Sequence, residues 1–335
     1  MNPHRSLLAP CRTTNASPSR PPPVPSADPN AAGFRDPRIL LPFLLITLIW
    51  SSTWIVIKGQ LGAVPPIWSV SYRFLISAAA MFAIARIAAV RIGIDRRGHG
   101  LALMLGTFQF VLNYNLVYVA ELYVTSGLVA VMFALLIVPN AALARAFFGV
   151  RIGARFAIGS AVALAGVVLL FFQEVRAAAA APGAVLTGLG FTLVAVIAAS
   201  AGNVMQLMEG VKTRSIAAML GWAMLYGSLI DAALAWALYG PPVFEPRLAY
   251  WLELLYLSVV ASALAFWLYY RIIRAIGPAK AAYSSVLIPI VAMTISTLAE
   301  GYHWSAVAIA GGLLAIAGLV IALSSRRVAA APIAD

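Results

Sequence analysis

Long apolar runs succeed one another along this chain, each near the length of a bilayer crossing and each closed by a short polar interval. A membrane helix needs about 20 mostly apolar residues to cross a hydrocarbon core of roughly 30 Å. Runs of that kind lie near residues 39–58, 66–88, 100–120, 124–148, 152–172, 184–208, 216–239, 249–273, 278–299 and 303–324. The pattern predicts an all-α membrane protein with ten transmembrane helices. Residues 1–37 carry no such run and hold nine of the 20 prolines, among them Pro21-Pro22-Pro23. Such a segment cannot bury a core and is expected to be a disordered tail, with a second short tail at 327–335.

Composition agrees with a bilayer solvent. The chain is 62% hydrophobic and only 10% charged, too few charges to cover a water-soluble surface. A net charge of +12 would suggest nucleic acid in a soluble protein, but its distribution argues otherwise. With spans alternating in direction, all of the 23 Lys and Arg residues except Lys58, Arg73, Arg176 and Arg247 fall on the side of the N-terminus. The positive-inside rule then predicts cytoplasmic N- and C-termini and removes nucleic acid as a partner. The single cysteine, Cys11, and the scattered His4, His99 and His303 suggest no disulfide, no metal and no cofactor.

Two stretches about 150 residues apart resemble each other. Residues 126–149 followed by 157–171 are answered by 281–301 followed by 308–323, with Pro139 matching Pro289 and "ALAGVVLL" matching "AIAGLVIA". Five spans per half is an odd number, so the second copy is expected upside down in the bilayer, with a central cavity between the halves, as in many secondary transporters. The expected halves are 38–176 and 177–326.

The run Trp50-Ser51-Ser52-Thr53-Trp54-Ile55-Val56-Ile57-Lys58, with Pro65-Pro66, Tyr72-Arg73-Phe74, Pro139 and Pro289, resembles the ten-helix EamA-like exporters of the drug/metabolite transporter superfamily. Among these, length and aromatic content are most similar to the aromatic amino-acid exporters of Gram-negative bacteria. The resemblance implies an inner-membrane exporter of amino acids or similar amphipathic metabolites; nucleotide sugars, polyamines and drug-like metabolites are the alternatives within the superfamily. One departure is visible. Where the family often has Gly-Glu after the fourth span, this chain has Gly149-Val150-Arg151, while Glu300 holds the equivalent place in the second half.

Polar side chains inside spans are costly and turn toward a cavity or a neighbouring helix. The third span offers Gln109, Asn113, Tyr114, Asn115 and Tyr118, and the sixth offers Ser200, Asn203 and Gln206. The eighth offers Ser258, Ser262, Trp267, Tyr269 and Tyr270, and the ninth Tyr283, Ser284 and Ser285. Helix-to-helix adhesion by Ser, Asn and Gln is the competing account. Trp54 and Lys58 share a stripe with Ser51, expected to face the solute path. Arg73 sits in the second span, able either to bind a substrate carboxylate or to pair with Glu121 or Asp231. Pro139 and Pro289 are candidate hinges for alternating access, or else static kinks. Only Asp231 is an acid deep in a span, which points to facilitative or weakly coupled transport. No H-E-x-x-H or G-x-S-x-G motif supports an enzyme. Oligomeric state stays open.

Overall fold

The computed structural model describes residues 36–62, 64–149, 152–177, 182–276 and 284–323. Both expected tails fall outside these residues, apart from Asp36 and Pro37. Among the described residues the chain is helical, with no strand.

Local chemistry sets the helix ends. Asp36 caps α1 (Pro37–Gln60) by accepting from the Arg38 N–H at 2.9 Å, and Pro37 occupies the first turn, where a missing N–H costs nothing. Pro66 opens α2 (Pro66–Ile87) in the same way. Next come α3 (Arg96–Leu105), a π-helical stretch (Gly106–Leu112) and α4 (Asn113–Ala120), which together form one apolar helix. The Asn113 N–H reaches back five residues to the Phe108 carbonyl, the bonding pattern of a widened π turn. α5 (Ser126–Ala134) and α6 (Ile137–Phe148) are separated at Leu135-Leu136. Pro139 has no N–H to give the Leu135 carbonyl, which accepts from Val138 at 2.8 Å instead. Gly149 ends α6 in the left-handed region, φ 66°.

α7 (Ala154–Ala177), α8 (Pro182–Met205), α9 (Glu209–Lys212) and α10 (Ile216–Tyr239) follow. α11 (Leu248–Leu255), a second π stretch (Tyr256–Leu264) and α12 (Ala265–Ile276) follow, then α13 (Ser284–Ala299) and α14 (Ala306–Leu323). Among the described residues, seven helices are long and apolar enough to cross a membrane, and the fifth, ninth and tenth expected spans correspond to shorter apolar stretches at Ala154–Leu170, Leu287–Ala299 and Ala306–Ala322. Large apolar side chains such as Leu41, Leu164 and Leu313 stand exposed on the outer surface, where a bilayer would cover them.

The tightest packing joins early helices to late ones. Along α7 and α14, Gly159 and Gly166 lie against Gly318 and Gly311 with backbone on backbone. Between α2 and α10, Ser71 Oγ donates to the Ser228 carbonyl at 3.0 Å and Ser228 Oγ donates to the Ser71 carbonyl at 2.9 Å. Trp50 Nε1 on α1 donates to the Ala261 carbonyl at 3.2 Å, and Gly127 on α5 sits under Met293 and Ser296 of α13.

At the end of the bundle where α3 starts, Asp95 caps that helix through the Gly98 N–H and accepts from Arg214 Nε at 2.9 Å. The hydrogen bond from Arg214 holds the Asp95 carboxyl below its ordinary value. A depressed carboxylate stabilises the fold above its unfolded pKa and loses that contribution as pH falls through the folded one. Thermal melts of Asp95→Asn, which keeps the cap, should therefore lie below the native melt at neutral pH, and the gap should close as pH drops below about 3.9.

Candidate central cavity

A cavity of about 200 Å³ lies among α1, α2, the first π stretch with α4, α5, α8, α12 and α13. Six aromatic side chains, Trp50, Trp54, Tyr114, Phe133, Phe266 and Tyr269, form part of its wall. Trp54 faces Phe133 with ring centroids 5.1 Å apart, and Trp50 meets Tyr269 at 4.9 Å and Phe266 at 5.7 Å. Edge-on and tilted ring contacts of this kind hold flat walls rigid and leave faces free for a solute.

Polar groups are few and sharply placed. Arg73 lines the cavity yet is only 1% exposed. Its guanidinium carbon lies 4.6 Å from the Tyr114 ring centroid, its Nε donates to Ser262 Oγ at 3.2 Å, and its Nη1 has no partner. Among the described residues no carboxylate lies within ion-pairing distance of it. Asn113 gives its amide N–H to the Gln109 carbonyl at 3.2 Å, which leaves its Oδ1 unpartnered, and Trp54 Nε1 is buried without a partner as well. All three orphaned atoms belong to wall residues of one cavity. Among the described residues no Asp or Glu lines it, and no group of His, Cys, Asp and Glu could hold a metal.

A second cavity, about 340 Å³ and apolar, lies beside it among α5, α7, α13 and α14; Ala134 and Pro289 border both.

The walls of the central cavity come from two segments of the chain, and both have relatives. Residues 38–172 and 186–324 each match the EamA-like transporter family. The chain belongs to that family. This EamA-like transporter is 25% identical over 294 residues to a "probable amino-acid metabolite efflux pump" of Salmonella typhimurium, covering 85% of this chain and 94% of that protein. It is 20% identical over 285 residues to "Protein PagO" of the same organism, covering 85% and 92%. A solved crystal structure matches 84% of this chain and 95% of its own with a TM-score of 0.58 at 19% identity, a likeness of fold. The transporter is thus a multi-pass membrane protein of a transporter family and not an enzyme.

Next to the wall residue Ile57, hydrogen bonds drawn from both segments form a clamp. Lys58 Nζ donates to the carbonyls of Glu121 and, at 3.2 Å, Val124. From the other segment, the Glu300 carboxylate accepts from the Ser126 N–H at 3.2 Å, from Ser126 Oγ at 2.6 Å and from Ser296 Oγ at 2.6 Å. A carboxylate at the start of α5 also meets the positive end of that helix. Beside them Tyr118 donates to Gln60 Oε1 at 2.9 Å, and Glu121 is fully buried with neither carboxylate oxygen partnered.

Of the residues expected to meet a solute, Trp54, Arg73, Gln109, Asn113, Tyr114, Asn203 and Pro289 come together on the cavity wall. Others stand elsewhere. Ser262 lies behind Arg73 and holds it, and Tyr118 is buried against Gln60. Lys58 serves the clamp. Trp267 lies under Arg271, 4.6 Å from ring centroid to guanidinium. Gln206 follows α8 in a turn, its N–H bonded to the Asn203 carbonyl at 3.1 Å. Pro139 is half-buried in α6, off the wall. The side chain of Ser285 lies outside the described residues. The expected stripe Ser51–Trp54–Lys58 also divides, since Ser51 turns to the Ile288 carbonyl of α13 at 3.3 Å. Asn115 and Asp231, 2.8 Å apart, pair with each other and not with Arg73. Trp50 and Phe133 were missed as wall residues. Trp50 had a signal, being one turn from Trp54 on the same helix face.

Proposed function

We propose that this transporter exports amino acids, aromatic and other neutral ones, or similar amphipathic metabolites across the bacterial inner membrane by alternating access. The central cavity carries the reading, because aromatic walls with a few buried, unpartnered polar atoms suit a solute that is part flat and part polar. The efflux pump among its relatives supports the direction. A volume of about 200 Å³ falls below the roughly 300–1,000 Å³ of drug-sized pockets, which disfavours nucleotide sugars. Polyamines would need cavity carboxylates.

In this reading the protein has ten spans in two inverted five-helix halves, 38–176 and 177–326, with cytoplasmic termini. The glycine contacts support it. Gly159 and Gly311 occupy equivalent places in the two copies, as do Gly166 and Gly318, and the contacts run crosswise, Gly159 to Gly318 and Gly166 to Gly311. A two-fold relation makes crosswise pairs of this kind. The break before Pro139 and the in-helix Pro289 serve as hinges, and transport is facilitative or weakly coupled. Purified protein in proteoliposomes should move tryptophan, phenylalanine or threonine saturably without a pH gradient. Trp54→Ala and Asn113→Ala should each cut the rate about tenfold or more, given that a lost buried contact of about 1.4 kcal/mol is tenfold. Movement of a nucleotide sugar but of no amino acid would sink the reading.

A further inference from the structure

We infer that the cavity selects its solute by a carboxylate and not by an ammonium group, so that its substrates are small monocarboxylates with an apolar or aromatic tail, amino acids being one subset. The inference rests on the transporter reading above and narrows it. Arg73 is a buried guanidinium whose Nη1 has no partner, at a cavity wall where no carboxylate of the described protein lies within ion-pairing distance. The buried Glu121 carboxyl is near enough to interact electrostatically with Arg73, and more strongly with Lys58, but neither of its oxygens takes a hydrogen bond from either. A buried guanidinium with an unsatisfied N–H is unfavourable, and an incoming carboxylate supplies both charge and acceptor. Trp54 Nε1 adds a second unpartnered donor at the same cavity.

The ammonium side of an amino acid meets a weaker reception. The acceptors the wall offers an ammonium, the amide oxygens of Asn113, Gln109 and Asn203, are all neutral. The Tyr114 ring, a natural face for a cation, already carries the Arg73 guanidinium at 4.6 Å. The Ser262 hydroxyl, 3.2 Å from Arg73 Nε, the Tyr114 face and the Tyr118 hydroxyl hold the guanidinium, while Nη1 keeps no partner.

Four probes of one skeleton separate the two ends of the solute: L-phenylalanine, 3-phenylpropionate, L-phenylalaninamide and phenethylamine. They are titrated by calorimetry into the full chain in nanodiscs, and their efflux from proteoliposomes is measured alongside. Both acids should bind within about threefold of each other, and the amide and the amine at least tenfold more weakly. Trp54→Phe should weaken the acids several-fold more than the amine. Arg73→Gln, where it folds, should remove the preference for acids. If the amide or the amine binds and moves as well as the acids, the inference is overturned while the transporter reading stands. If none of the four binds or moves, the inference and the amino-acid reading fall together.

Discussion

Replacing Gly166 or Gly318 with valine should leave little or no monodisperse protein to purify. A Cβ at Gly166 would fall inside van der Waals contact of the Ala315 nitrogen and the Gly311 carbonyl, and one at Gly318 inside contact of Ala163 and Gly159. These are backbone atoms, so no side chain can swing aside. The helices must separate, and the close contact that small residues provide in membranes is lost along the whole of α7 and α14. Overpacking a buried site costs about 1–3 kcal/mol and occasionally more, and rigid backbone on the far side puts these positions at the upper end. Size-exclusion profiles and melting temperatures in detergent read the effect directly. A valine variant that elutes and melts like the native protein would show that α7 and α14 do not depend on this contact.

Removing the clamp beside Ile57 should ease access to the cavity from that side. Lys58→Ala and Glu300→Ala together delete the bonds to Glu121, Val124, Ser126 and Ser296. Hydrogen bonds to charged groups contribute about 1.5–3 kcal/mol each, and a shift of 1.4 kcal/mol already changes a conformational ratio about tenfold. With Cys11, the chain's one cysteine, changed to serine and a probe cysteine placed at the wall residue Ile57, a membrane-impermeant maleimide applied on the side of the clamp reports the change. Labelling is expected to rise at least tenfold in the double variant. Unaltered labelling would place the seal elsewhere, in the buried layer of Tyr118 and Gln60.

The helices were legible because bilayer crossing demands long apolar runs, and the repeat because glycine and proline leave marks that Leu, Val and Ala do not. Arg73 and Asn113 were legible for the same reason, as polar groups where lipid tolerates few. What the sequence left open is which face of a helix meets which neighbour. Tyr114 and Tyr118 are one turn apart and look alike in the run "NYNLVYVA". Yet Tyr114 lies under Arg73 at the cavity while Tyr118 hydrogen bonds to Gln60. Lys58 shows the second limit. Its long side chain reaches two carbonyls in a loop more than sixty residues away, a partnership with no local signature.

Both π stretches, Gly106–Leu112 and Tyr256–Leu264, interrupt the corresponding long helix of each matched segment. A π turn holds one more residue than an α turn, and each residue of an α-helix advances the azimuth by about 100°. The surplus in the first stretch therefore sets the phase of everything beyond it: Tyr114 toward Arg73, Asn115 toward Asp231, Tyr118 toward Gln60. Loss of a single codon there would regularise the coil while turning all three side chains to the wrong neighbours. In this transporter the cavity's chemistry is written partly in residue types and partly in a counting offset, which substitution leaves intact and deletion erases.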